Sequence, residues 1–350
     1  MNTSTAALGA LLALLSGVLN GVSMLPMRYL GKWEWENVWL LYILFACVLM
    51  PVTMVVFTVH DPIQLLALAP VGAILGAVVG GGLWGLGAIL FGQAVSATGI
   101  SLTNTIVMAI SSSMGSLLPL LILHPASLSG LHGRMIVAGT AVAIVGMVFS
   151  GVAGHRREQN RRQMNCEGRE GEGELVGKRR PFHIGILLCI GAGILSAVFN
   201  IGFSLAQPVI ASAESVGYSA SDATNFIWLL MLGMGAMANA AYCVYLLVKN
   251  GSARKFLLPG SSRLYLLTSV MGLTWGGSMF VYGEATNRLG PLGTVVGWPL
   301  FLTTALLIGN LCGVIAGEWR ATTRATRCWM GIGMVTLIVA ILVLGKAGTL

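Results

Sequence analysis

The chain has 350 residues, of which 56% are hydrophobic and 9% charged, with a formal net charge of +8. A soluble domain carries about 25% charged residues, so this composition excludes one and points to an all-α integral membrane protein. The basic residues lie in loops beside apolar runs, which sets nucleic acid aside as a partner and leaves the lipid bilayer.

Ten apolar spans follow in chain order, over residues 5–27, 37–59, 69–96, 100–123, 134–153, 184–206, 223–248, 263–286, 291–316 and 327–346. The first run has no basic residue before it and is expected as a span rather than a cleaved leader. Its exit, Arg28 to Trp39, combines Arg28 and Lys32 with Trp33, Trp35 and Trp39. Tryptophan suits the headgroup layer, so Trp33 and Trp35 are expected to anchor this hairpin at the membrane surface rather than to touch a ligand. Gly76 and Gly80, and Gly309, Gly313 and Gly317, are expected to let helices pack closely. Pro299, after Trp298, is expected to interrupt the ninth span, as a kink or an unwound turn. The polar segment 155–182, rich in Arg, Glu and Gly, is expected to be a disordered linker.

Lysine and arginine set the orientation. With both termini outside, all of the 20 except Arg134, Arg288 and Lys346 fall on the cytoplasmic side, the 155–182 linker included.

The two halves resemble each other. Ser16-Gly17-Val18-Leu19-Asn20 matches Ser196-Ala197-Val198-Phe199-Asn200 at an offset of 180 residues. Trp84-Gly85, Gly92-Gln93-Ala94 and Gly99 match Trp275-Gly276, Gly283-Glu284-Ala285 and Gly290 at an offset of 191. Five spans per half put the second half upside down, so the expected organisation is two inverted five-helix repeats, 1–154 and 183–350, with a site where they meet.

The segment "LNGVSMLPMRYLGKWEWENVW" resembles the first hairpin of the L-rhamnose–proton symporter family, within the drug/metabolite transporter superfamily. "LWGLG" at 83–87, "SAVFNIGFSLAQP" at 196–208, "LGPLGTVVGWPLF" at 289–301 and "GEW" at 317–319 extend the resemblance along the chain. Ala88 and Glu284 depart from the residues usual in the family. The resemblance implies proton-coupled uptake of a neutral sugar across a bacterial inner membrane.

A sugar needs hydrogen-bonding groups and an aromatic face, and polar groups deep in spans are costly unless they meet a cavity or a partner. Asn20 and Asn200 occupy equivalent places and are candidate ligands; the other reading is that their amides tie helices together. Gln93, Ser112, Thr303, Trp84, Trp275 and Trp298 complete the candidate substrate set, with Ser101, Asn104, Ser111 and Ser113 nearby. Glu284 is the candidate proton carrier, as the one acidic residue inside a span beyond its first turns. Arg288 at i+4 offers it an ion pair instead, and Glu318 reads as an interfacial anchor. Six scattered cysteines without a CxxC pair indicate neither a disulfide framework nor a metal site, and no cofactor is expected. The alternative function is a drug/metabolite-type exporter of small metabolites or amino acids. An enzyme is set aside because no catalytic cluster lies in the spans.

Overall fold

The computed structural model describes residues 3–167, 181–320 and 322–349, and all regular structure among them is helical. Helix α1 spans Thr3–Ser23. The second crossing is composite: α2 (Trp35–Ile43), a π-helical stretch Leu44–Leu49, and α3 (Met50–Thr58). A short helix α4 (Pro62–Leu68) then leads into α5 (Val71–Thr98), α6 (Ile100–Leu123) and α7 (Leu131–Glu167). The second half holds α8 (Phe182–Ala206), a short α9 (Pro208–Glu214), α10 (Ala220–Asn250), α11 (Ser261–Leu289), α12 (Gly293–Ile315) and α13 (Arg324–Gly348).

Among the described residues, nine helical runs are long and apolar enough to cross a membrane. The longest, Ser261–Ile315, has 55 residues and divides at Gly290 (φ 74°) into α11 and α12, which gives ten crossings. Gly99, its counterpart between α5 and α6, has φ 88°. L-residues are strained in that region, so glycine makes both sharp turns possible. A capping box between Ser219 and Asp222 starts α10, and the Thr323 hydroxyl caps α13. Leu11, Val56, Phe57, Val248, Ile315 and Leu342 are exposed on the outside of the bundle, as a lipid-facing surface requires.

Inside, α1 packs against α11 and α12, α8 packs against α5 and α6, and α7 packs against α13. Gly76 and Gly80 face Leu205 and Gly202 of α8, so this pair serves close packing as expected. Gly309 and Gly313 differ: they line a cavity instead of a neighbouring helix.

Two further expectations change. Helix α7 continues to Glu167, so the part of the 155–182 segment up to Glu167 is helix rather than disordered linker; residues 168–180 lie outside the described residues. The physical cause lies in the first turns past the span. Arg157 pairs with Glu318 at 2.6 Å and lies over the Trp319 ring, while Arg156 lies over Trp329. The second change concerns α12, which runs through Pro299 without an unwound turn. Proline leaves the carbonyl four residues back without its helical partner. For Pro299 that carbonyl is Val295, and the Ser116 hydroxyl of α6 donates to it at 2.6 Å. The same device recurs at Pro119 in α6, where the freed Gly115 carbonyl accepts from the Asn200 amide at 2.8 Å.

Candidate functional site

A cavity of about 710 Å³ runs from the middle of the bundle to one end. At that end it meets the C-termini of α1, α5 and α12, the stretch 150–157 of α7 and the N-termini of α2, α6 and α13. It therefore reaches the face of the bundle that carries Arg157, Arg320 and Arg324.

The floor is built around Trp298 of α12, which is 4% exposed. Its indole N–H donates to the Ser111 carbonyl (3.1 Å) and to Ser111 Oγ (3.3 Å), and Ser111 Oγ lies 3.0 Å from Ser196 Oγ of α8. The indole can lie flat here because residue 115 is glycine: a Cβ there would come 2.8 Å from the Trp298 ring. Phe199 and Phe301 flank it, with ring centroids at 6.1 and 5.4 Å.

One wall is a chain of aromatic rings. Trp84 and Trp275 stack on each other, with centroids at 5.3 Å and planes 10° apart. Tyr42 lies 5.9 Å from Trp275, Trp39 stacks on Tyr42 at 4.9 Å, and Trp35 stacks on Trp39 at 5.2 Å. The chain of rings thus continues from floor to mouth. Backbone contacts hold it: the Gly235 backbone lies so close to the Trp84 ring that a Cβ would come within 2.6 Å. Trp39 donates to Asn239 Oδ1 at 2.9 Å, and the Asn239 amide donates in turn to the Gly85 and Gly235 carbonyls.

Polar groups face this wall. Asn20, Asn104 and Ser101 line the cavity. Among the described residues the Asn20 amide makes no hydrogen bond, and the buried Asn310 Nδ2 has no partner either. Buried amides are normally satisfied, so such free donors and acceptors are available to a hydroxylated solute. At the mouth stand Glu318, paired with Arg157, and Trp319, whose buried indole N–H has no partner among the described residues. Glu318 is the one carboxylate on the cavity wall among the described residues.

The sequence candidates divide accordingly. Asn20, Trp84, Trp275 and Trp298 come together around the cavity. Asn200 lies fully buried beneath the floor, and its amide is spent: Nδ2 donates to the Gly115 and Thr294 carbonyls (2.8 and 3.0 Å), and Oδ1 accepts from the Tyr282 hydroxyl (2.6 Å). Gln93 is off the cavity wall and reaches Tyr242 of α10 at 3.4 Å. Ser112 and Thr303 are fully buried off the wall, with no hydrogen-bond partner for either hydroxyl among the described residues. Glu284 sits at the opposite end of the bundle, paired with Arg288 at 2.6 Å and accepting from the Ser221 hydroxyl.

The first hairpin separates its tryptophans. Trp33 anchors the hairpin: it is 5% exposed, donates to the Lys255 carbonyl at 2.9 Å and packs edge-on to Phe256 and Tyr265. Trp35 turns into the cavity mouth instead, because it begins α2 and stacks on Trp39 one turn later. Met108, Ser196, Phe199 and Asn310 also line the cavity and were not among the candidates. Ser196 and Phe199 had a signal, being three residues apart in the repeated segment and so on one helix face.

Ten helices that can cross a membrane, around a cavity with an aromatic wall, define a multi-pass membrane protein with a central cavity. The family model for L-rhamnose-proton symport protein (RhaT) matches residues 1–348, and the chain belongs to that family. Among its relatives, the L-rhamnose-proton symporter of Yersinia pestis (strain Pestoides F) is 25% identical over 329 residues, covering 91% of this chain and 92% of the relative. The L-rhamnose-proton symporter of Citrobacter koseri is 24% identical over the same shares.

Proposed function

We propose that this protein is a secondary transporter that takes up a neutral monosaccharide, L-rhamnose or a related sugar, together with protons across a bacterial inner membrane. The observation that carries this reading is the cavity itself: stacked indoles on one side and unspent amides on the other, in a member of a sugar–proton symport family. Pyranose faces stack on indole, and hydroxyls take both the donor and the acceptor of an amide. The test is uptake of labelled L-rhamnose and a panel of other sugars into proteoliposomes with an acidic exterior. We expect accumulation that a protonophore abolishes; no accumulation of any sugar, or accumulation indifferent to the protonophore, would refute it.

The mechanism we assign is alternating access by two inverted five-helix halves, 1–154 and 183–350. Support comes from the equivalent packing of α1 on α11 and α12 and of α8 on α5 and α6. The matched turns at Gly99 and Gly290 and the mutual stacking of Trp84 and Trp275 point the same way. Charge bias places both termini outside and residues 155–182 in the cytoplasm, so the cavity faces inward in this state.

For the proton we favour Glu318 over Glu284. Glu284 is bound to Arg288 far from the cavity, whereas Glu318 lines it and faces Arg157. A carboxylate beside a cation can exchange that partner for a proton as the cation engages sugar hydroxyls. Glu318→Gln should lower gradient-driven uptake at least about tenfold and leave sugar exchange at equal pH intact. Gradient-driven uptake with the wild-type pH dependence would exclude Glu318.

A further inference from the structure

The two repeats are alike in sequence but not in conformation. Asn20 on α1 and Asn200 on α8 are equivalent at the 180-residue offset, yet they do opposite things. Asn200 ties α8 to α6, α11 and α12 through Gly115, Tyr282 and Thr294, and closes the end of the bundle away from the cavity. Next to it, Ser204 donates to Thr294 Oγ1 at 2.8 Å. Asn20 faces the open cavity with its amide unused.

In a pair of inverted repeats, the conformation that one half holds now is the one the other half holds in the opposite state. The 191-residue offset that pairs Gly99 with Gly290 also pairs Gly115 with Leu306, Thr294 with Thr103, and Tyr282 with Phe91. Phe91 and Leu306 line the cavity, and Gly21, beside Asn20, already faces the Ala305 carbonyl of α12.

We infer that Asn20 and Asn200 exchange roles during transport, which rests on the alternating-access reading above. In the inward-facing state Asn200 locks the outer end and Asn20 meets the sugar. In the outward-facing state Asn20 closes the inner end through the carbonyls of Leu306 and Thr103, and Asn200 is released to the sugar. The two locks are unequal. The outer one uses the carbonyl freed by Pro119 and the Tyr282 hydroxyl; the inner one has Asn310 at the place of Pro119 and Phe91 at the place of Tyr282. The empty carrier therefore rests facing inward.

The inequality supplies the test. Leu292, the counterpart of Ser101 at the outer mouth, is 7% exposed. As Leu292→Cys, in a chain with Cys166, Cys312 and Cys328 replaced by serine, it reports outward opening by its rate of reaction with a membrane-impermeant methanethiosulfonate from outside. Tyr282→Phe removes one bond from the outer lock, and Phe91→Tyr adds one to the inner lock. Each should raise the labelling rate about fivefold, the weight of one net hydrogen bond on a two-state equilibrium. Adding Asn20→Ala to Phe91→Tyr should bring the rate down to that of the parent or below it, because the added hydroxyl then has no amide to meet and the amide's own bonds to the inner carbonyls are gone as well. Parent-like labelling in both single variants, or a raised rate that survives Asn20→Ala, would overturn the exchange. Labelling needs no sugar, so a failed uptake assay would refute the proposed substrate and leave this result readable.

Discussion

Asn20→Ala is expected to lower the initial rate of sugar uptake at least about tenfold, while the amount of folded protein in the membrane stays unchanged. The amide has no partner to lose among the described residues, so its removal leaves no buried group unsatisfied. What it removes are hydrogen bonds to the solute, each worth about 1 kcal/mol net, and about 1.4 kcal/mol is tenfold in affinity. The lost contact to the solute should raise KM, and loss of the inner closure inferred above should lower the maximal rate as well. Asn200→Ala provides the contrast. It strands the Tyr282 hydroxyl and the Gly115 carbonyl, which Pro119 leaves without a helical partner, in a buried place, at about 1–3 kcal/mol for each polar group left unsatisfied. That variant should lose thermal stability, read as a lower Tm in detergent. Uptake by Asn20→Ala within twofold of wild type would remove Asn20 from the site.

The largest structural effect is expected at Gly81. Helices α5 and α10 touch backbone to backbone there: a Cβ on Gly81 would lie 2.6 Å from the carbonyl carbon and the Cα of Met231. No flexible side chain can yield, so Gly81→Val must push the helices apart, at a cost of about 3 kcal/mol or more. The same contact seats Trp84 against Gly235 and holds Trp39 through Asn239. Separation would thus open the aromatic wall as well as destabilise the bundle. Gly82 is the control, because a Cβ there meets nothing within 4 Å. Gly81→Val should fail to accumulate as monodisperse protein, whereas Gly82→Val should behave as wild type. Equal behaviour of the two would show that the close approach is not needed.

The spans were legible because apolar length is a direct property of sequence. All ten were placed, with the break between the eighth and ninth falling at Gly290. Trp84 and Trp275 were legible as a pair through the repeat, though not as rings stacked on each other. Which face of a helix meets the cavity was not legible. Ser111 lies at the cavity while Ser112 is sealed away, and one residue of rotation along α6 separates them. The division between Asn20 and Asn200 was hidden for a different reason. Two asparagines at matching places of a repeated segment carry the same chemistry, and only the packing around each, Gly115, Tyr282 and Thr294 about Asn200 and the cavity about Asn20, tells them apart. The headgroup rule did not foresee either hairpin tryptophan: Trp33 is buried against Phe256 and Tyr265, and Trp35 joins a stack that turns inward.

The chain of rings has a consequence for observing the molecule. Of nine tryptophans, Trp35, Trp39, Trp84, Trp275, Trp298 and Trp319 border the cavity. Two of them lie nearly parallel at 5.3 Å, close enough for their excited states to couple. A solute that enters the cavity would meet these indoles, so its binding is expected to change the emission and near-ultraviolet dichroism of the unlabelled protein. Titration with the proposed sugar should therefore be readable in the protein's own ultraviolet spectrum, without any attached dye.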